Sequence, residues 1–247
     1  MRLIRIITVS FAFFIFAMGS WVLSFILFPI AKFRLKKEEQ RQYYIDTIHK
    51  TWEWFTKILY LLGIMKVEFQ NQDELKNLRG KIIVANHPSL IDIVLLIGFI
   101  PNSVSVVKEA LARNFFVKNI VKNAYLINNL DVEKFQADAK ELLDAGFNIV
   151  IFPTGTRSMD NEPVKLHSGA AQLALMTNKE IIPIRIDMNP PFLPKNVPVT
   201  KGAGSKRAIY KIKKQETINP ADFDTQNQIK TRKAICLKIK EACFIHN

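Results

Sequence analysis

The chain has 247 residues, 49% of them apolar and 23% charged, a balance that excludes a disordered chain and suits one large globular body with an extra element or two. Lys and Arg number 35 against 22 Asp and Glu, a formal net charge of +13, so anionic partners are expected: nucleic acid, a membrane face or a phosphorylated substrate. Two cysteines, Cys236 and Cys243, and histidines scattered at His49, His87, His167 and His246 form no Cys-x-x-Cys or Cys/His cluster. A zinc site is not expected, and the two thiols read as free in a reducing compartment.

Residues 6–31 carry no charged side chain and include Phe11, Phe13, Phe14, Phe16, Trp21, Phe25 and Phe28. A spanning helix needs about 20 such residues, whereas a signal peptide has an apolar centre of about 7–15 and a small-residue cleavage site. The run reads as an uncleaved anchor. Lys32, Arg34, Lys36 and Lys37 follow it, against Arg2 and Arg5 before it. This asymmetry predicts attachment to the inner (cytoplasmic) membrane, with the remainder of the chain on the cytoplasmic side.

Between 42 and 63, Ile45, Ile48, Trp52, Phe55, Leu59 and Leu62 recur at helical spacing, with Asp46, His49, Lys50, Glu53 and Lys57 between them. This predicts an amphipathic helix. It has two readings, a core-packing helix or a partner of the anchor at the headgroup boundary; its place beside the anchor favours the second. The first helix either spans or dips in and returns with this one.

From 65 onward short β-branched runs alternate with helical stretches. Strands are expected at 81–85, 103–107, 124–128, 148–152, 181–186 and 207–212, and helices at 90–98, 114–122, 132–145, 167–177 and 226–243. Gly146 is placed to cap the helix from 132. The alternation predicts an α/β fold: a largely parallel mixed sheet flanked by helices, with an N-terminal membrane-anchoring helical pair. The expected division is 1–64 for anchor and amphipathic helix, and 65–247 for the α/β domain. The Pro-, Gly- and Lys-rich stretch 189–204 reads as a surface loop.

Two segments carry chemistry. Asn86-His87-Pro88-Ser89-Leu90-Ile91-Asp92 follows an apolar strand and opens an apolar helix. His87 thus stands at a strand's C-terminal end, where open α/β sheets bind ligands. Asp92, within the first helical turn, can turn back to one ring nitrogen and leave the other to accept a proton from a hydroxyl. Imidazole suits that task because it titrates near neutrality. Ser89-x-x-Asp92 is also a capping-box pattern, and both roles are compatible. The second segment, Phe152-Pro153-Thr154-Gly155-Thr156-Arg157-Ser158, follows another strand. Gly155 permits a tight turn, Arg157 offers a planar fork of donors, and Thr154, Thr156 and Ser158 add hydroxyls, a set suited to phosphate or carboxylate. An ordinary polar turn is the alternative.

Taken in order, His-x4-Asp at one strand end and Phe-Pro-x-Gly-Thr-Arg at a later one resemble the glycerolipid acyltransferase family, whose members include enzymes that acylate lysophosphatidic acid. The resemblance covers about 42–215. Val107-Lys108-Glu109 resembles the family's second block, Ile182-Pro183-Ile184 its fourth, and His167-Ser168-Gly169-Ala170-Ala171 the helix start before it. The resemblance implies direct acyl transfer from acyl-CoA or acyl-carrier protein, with no acyl-enzyme, no further cofactor and no metal. It implies that His87 and Asp92 are catalytic, and that Lys108, Thr154, Gly155, Thr156 and Arg157 bind substrate, Arg157 and Lys108 at the acceptor's phosphate. The expected partners are a membrane lipid acceptor, the acyl donor and the membrane surface, not nucleic acid.

Two departures bear on the acceptor. Thr154 stands where the family usually has Glu, and Asn128-Asn129-Leu130-Asp131 where an Asp-Arg pair usually ends the second block. Contacts to the acceptor are therefore expected to differ from the glycerol-phosphate pattern. Two alternatives follow: a lipid-binding relative with weakened catalysis, or transfer to another lipid such as an aryl-polyene-type product. A nucleic-acid binder explains the charge but neither the uncharged run nor the strand-end motifs, and the absence of Gly-x-Ser-x-Gly removes the common serine-hydrolase turn.

Overall fold

The computed structural model describes residues 2–113, 117–128, 131–158, 165–224 and 226–245. The chain opens with α1 (Arg2–Val22), a π-helical turn (Leu23–Leu27) and α2 (Phe28–Arg34), which run on as one apolar helix. Pro29 closely follows the π turn and, lacking an N–H, cannot bond back to the preceding turn. The wider π turn coincides with a contact from outside the helix: Asn119 Nδ2 donates to Ser24 O at 2.8 Å. After an extended Leu35, α3 (Lys37–Leu61) begins, with the Lys36 N–H donating to Glu39 Oε2.

The chain continues as β1 (Met65–Gln70), α4 (Gln72–Lys76), β2 (Ile82–Ala85), α5 (Asp92–Phe99), β3 (Ser103–Lys108), a short 3-10 turn (Glu109–Arg113), α6 (Lys118–Ala124), β4 (Leu126–Asn128), α7 (Val132–Asp144), β5 (Asn148–Ile151), α8 (Gly169–Thr177), β6 (Ile181–Asn189), α9 (Val199–Gly202), β7 (Ala208–Lys214) and α10 (Gln228–Phe244). The strands form one seven-stranded sheet in the order β1-β7-β6-β2-β5-β3-β4. Pairing is parallel except between β6 and β7. The α/β expectation and the mixed, largely parallel sheet are thus found. Every residue of β2 is buried, as a central strand covered on both faces requires.

The expected elements recur with small shifts. Gly146 ends α7 at φ +87°, a backbone that suits glycine. Helix α5 starts at Asp92 rather than at 90. Of the helix expected at 114–122, residues 114–116 lie outside the described residues. Strand β1 and the short α4 are additions. The 189–204 stretch is not a free surface loop, because Phe192, Leu193 and Ala203 are buried.

Helix α3 turns Tyr44, Ile45, Ile48, Trp52, Phe55 and Leu59 inward and packs on α5. Its inward stripe is therefore core, the first of its two readings, while Trp54, Tyr60 and Leu61 of the same helix are exposed. Among the described residues, one apolar helix, Leu3–Arg34, is long enough to cross a membrane. It docks one face through Val9, Ala12, Leu23 and Phe28 and leaves Ile4, Ile7, Phe11, Phe14 and Met18 exposed on another. Phe28 meets Tyr44 with ring centroids 4.5 Å apart, and Phe16 meets Phe55 at 5.2 Å. Helices α3, α5 and α6 form one packed group and α7, α8 and α10 another, both against the sheet. A single cluster of buried side chains runs from Val9 to Cys243. Cys236 and Cys243 lie on α10 and are both unbridged.

Candidate active site

Strands β2, β5 and β3 are parallel neighbours, so their C-terminal ends stand side by side. The chain leaving β2 carries His87, the end of β3 carries Lys108, and the chain leaving β5 carries Phe152 to Ser158. This is the edge where a parallel sheet presents loops to ligands. His87 O accepts the Ser158 N–H at 2.9 Å, which joins the two motifs directly.

His87 Nδ1 lies 2.8 Å from Asp92 Oδ2, and the same oxygen accepts the Ser89 N–H at 2.7 Å. Asp92 is fully buried while His87 keeps 17% of its side chain exposed. The carboxylate therefore fixes one ring nitrogen and leaves the other toward the opening. The imidazole stacks on Phe152, with centroids 4.1 Å apart and planes 19° from parallel, so it has little freedom to turn. Burial raises the Asp92 carboxyl above its ordinary range, against the opposing pull of His87, the Ser89 N–H and the Arg157 charge. Its Oδ1 has no hydrogen-bond partner among the described residues. The capping-box pattern is realised by half: the Ser89 N–H reaches Asp92, while the N-cap, Ile91, contributes no side-chain bond.

The opening is a cleft of about 950 Å³. His87, Lys108, Thr154, Gly155, Thr156 and Arg157 all line it, with His167 opposite and apolar walls from Val106, Leu111, Phe135, Ile151 and Leu173. Gly155 has φ +64°, and a Cβ there would stand 3.4 Å from the His167 ring. The Thr154 hydroxyl is spent within its own turn, donating to Thr156 O at 2.7 Å. Arg157 Nη1 donates to Leu193 O at 3.0 Å and Pro194 O at 3.2 Å. Asn129 and Leu130, in the second departure, lie outside the described residues.

A protein-family model described as "Acyltransferase" matches residues 66–187, the segment that contains β2, β3, β5 and both motifs. The chain belongs to that acyltransferase family. Its reaction class is acyl transfer, and the buried His87–Asp92 pair is consistent with a catalytic dyad of that family. Among solved structures, the 1-acyl-sn-glycerophosphate (LPA) acyltransferase of Thermotoga maritima is similar at TM-score 0.72 and 24% identity, covering 98% of this chain and 95% of that one. At that identity the likeness is one of fold.

For this acyltransferase, the structure adds residues that the motifs alone did not single out for a role. Asn86 is clamped to β6 by two bonds, Nδ2 to Ile186 O at 2.8 Å and Oδ1 from the Ile186 N–H at 2.7 Å. Ser89 Oγ donates to Phe192 O at 2.7 Å and accepts from the buried Tyr210 hydroxyl at 2.9 Å. These hold the His87 turn from behind. Their only sequence signal is the polar character of Asn86 and Ser89 between apolar residues; Tyr210 reads as an ordinary strand position.

Proposed function

We propose that this acyltransferase moves a fatty acyl group from acyl-CoA or acyl-carrier protein to the hydroxyl of a lysophospholipid-like acceptor of the 1-acylglycerol-3-phosphate type. The observation that carries the reading is the 2.8 Å His87–Asp92 bond at the mouth of an apolar-walled cleft that also bears Arg157 and Lys108. His87 Nε2 takes the acceptor's hydroxyl proton, and the oxygen attacks the thioester carbonyl carbon. The C–O bond forms, the C–S bond breaks, and the leaving thiolate takes the proton from the imidazolium. Asp92 orients the ring and stabilises its charged form. Arg157 and Lys108 supply positive charge for an acceptor phosphate, and Thr154, Gly155 and Thr156 shape the turn that receives it. Residues 1–64 hold the enzyme at the inner membrane and 65–247 form the catalytic domain on the cytoplasmic side, where acyl thioesters and lipid meet.

Thiol release from a long-chain acyl-CoA by detergent-purified protein, with a panel of lysophospholipids, tests this. Release is expected to depend on acceptor and to vanish in His87→Ala. Near-normal turnover by the variant would remove His87 as base. The inward-turned Thr154 hydroxyl favours a second acceptor class, a lipid hydroxyl without glycerol phosphate, and turnover confined to such members of the panel would select it.

A further inference from the structure

The first apolar helix carries an arginine, Arg5, whose three guanidinium nitrogens each donate to a backbone carbonyl. Arg5 Nε donates to Ala203 O at 2.8 Å, Nη2 to Ile64 O at 2.8 Å and Nη1 to Gly63 O at 3.3 Å. Its carbon stands 6.0 Å from the Phe192 ring centroid. In sequence Arg5 reads as a cation flanking an anchor. In the fold it is a clasp, and only a planar fork with donors on three nitrogens spans such a set of carbonyls.

What it clasps leads to the dyad. Ala203 belongs to the 189–204 connection, which folds back on itself through the Leu193 N–H to Gly202 O at 2.9 Å. The same connection accepts the Leu90 N–H and Arg157 Nη1 at Leu193 O, and Ser89 Oγ at Phe192 O. Ser89 in turn donates its N–H to the Asp92 oxygen that holds His87. The connection is thus a strap with the membrane-side helix on one side and both candidate site segments on the other. The strap buries Phe192, Leu193 and Ala203, so apolar packing and these bonds together seat it, and the bonds fix its direction.

We infer that Arg5 is a positioning residue: by tying α1 to the strap it sets the geometry of His87, Asp92 and Arg157, so that seating of the apolar helix is coupled to turnover. The inference rests on the acyltransferase reading above for its kinetic half only. Removing the fork frees three carbonyls and lets the strap shift; a displacement of about 1 Å at a reacting group can cost up to about 100-fold in rate.

The test compares full-length wild type with Arg5→Ala in phosphatidylethanolamine/phosphatidylglycerol vesicles by three readouts. Hydrogen–deuterium exchange is expected to quicken in 87–92 and 189–204 and stay unchanged in α7 and β5. The kcat is expected to fall about 10- to 100-fold with KM within about twofold, and co-sedimentation with vesicles to persist. Arg5→Lys is expected to recover part of the rate, because one ammonium reaches some of the carbonyls. Should Arg5→Ala not fold, Arg5→Gln is read by the same criteria. Unchanged exchange in the strap, or a loss of rate that tracks loss of vesicle binding, would overturn the inference. If wild type turns over no thioester with any acceptor, the acyltransferase reading fails, while the exchange comparison still decides the clasp.

Discussion

At the scale of single residues, Asp92 bears two opposed demands. Its burial disfavours the carboxylate, and its bonds to His87 and Ser89 favour it, with burial prevailing. A folded-state pKa raised above the unfolded value contributes stability that is present below the unfolded pKa and lost as pH rises through the folded one. At neutral pH the group therefore works against folding. Asp92→Asn is expected to leave the melting temperature no lower than that of wild type, while kcat falls by about 10²–10⁴. Thermal unfolding and the thiol-release assay on one preparation check both halves. A variant both unstable and inactive would make Asp92 a structural carboxylate first. The dyad was legible in the sequence because its members lie five positions apart across one strand-to-helix turn. The bonds of Arg157 to the Leu193 and Pro194 carbonyls were not, since backbone acceptors leave no mark on residue identity.

At the scale of elements, the crossing of α3 and α5 depends on one small residue. A Cβ at Gly98 would lie 2.8 Å from both Glu53 N and Trp52 C, backbone atoms that cannot turn aside. Gly98→Ala is expected to push the helices apart and cost about 1–3 kcal/mol, read as a lowered melting temperature with KM unchanged. An equal melting temperature would mean that the crossing is looser than its geometry. The α3 stripe shows where sequence reading ran short. Its period announced a helix with one apolar face, but a core and a membrane surface accept the same face. Only the packing of Trp52 and Phe55 against α5 and α1 distinguishes them. Strand β1, Met65–Gln70, alternates apolar with polar residues as a half-buried edge strand does, but with Val67 as its one β-branched residue it is no β-branched run.

At the scale of the molecule, the first helix leaves a continuous apolar stripe uncovered: Ile4, Ile7, Phe11, Phe14, Met18 and Trp21, all at helical spacing. Lys32 and Arg34 end the same helix. Each large side chain transferred from water is worth about 1.5–3 kcal/mol, so replacing Phe11, Phe14 and Met18 together with Ser is expected to weaken vesicle co-sedimentation by at least about 100-fold. The docked face, which holds Val9 and Ala12, is untouched, so hydrogen exchange of the sheet should not change. Retained co-sedimentation would assign membrane contact to another surface.

The single antiparallel pairing, β6 with β7, has a further consequence. Because β7 and β1 run against the other strands, the α3–β1 turn emerges at the same edge as His87, and so does the β6–β7 connection. The opposite edge is built otherwise. Gly80, Asn102, Gly146 and Asn178 all take left-handed backbone there, and the turns are stitched together by the Gly80 N–H to Gly146 O at 3.0 Å and the Asn148 N–H to Asn102 O at 2.7 Å. From β6 to β3 this rim is thus a hem of tight reversals, and the other is an open margin of longer segments. Changes in 153–158 or 189–204 touch the margin without unpicking the hem that keeps the strands in register.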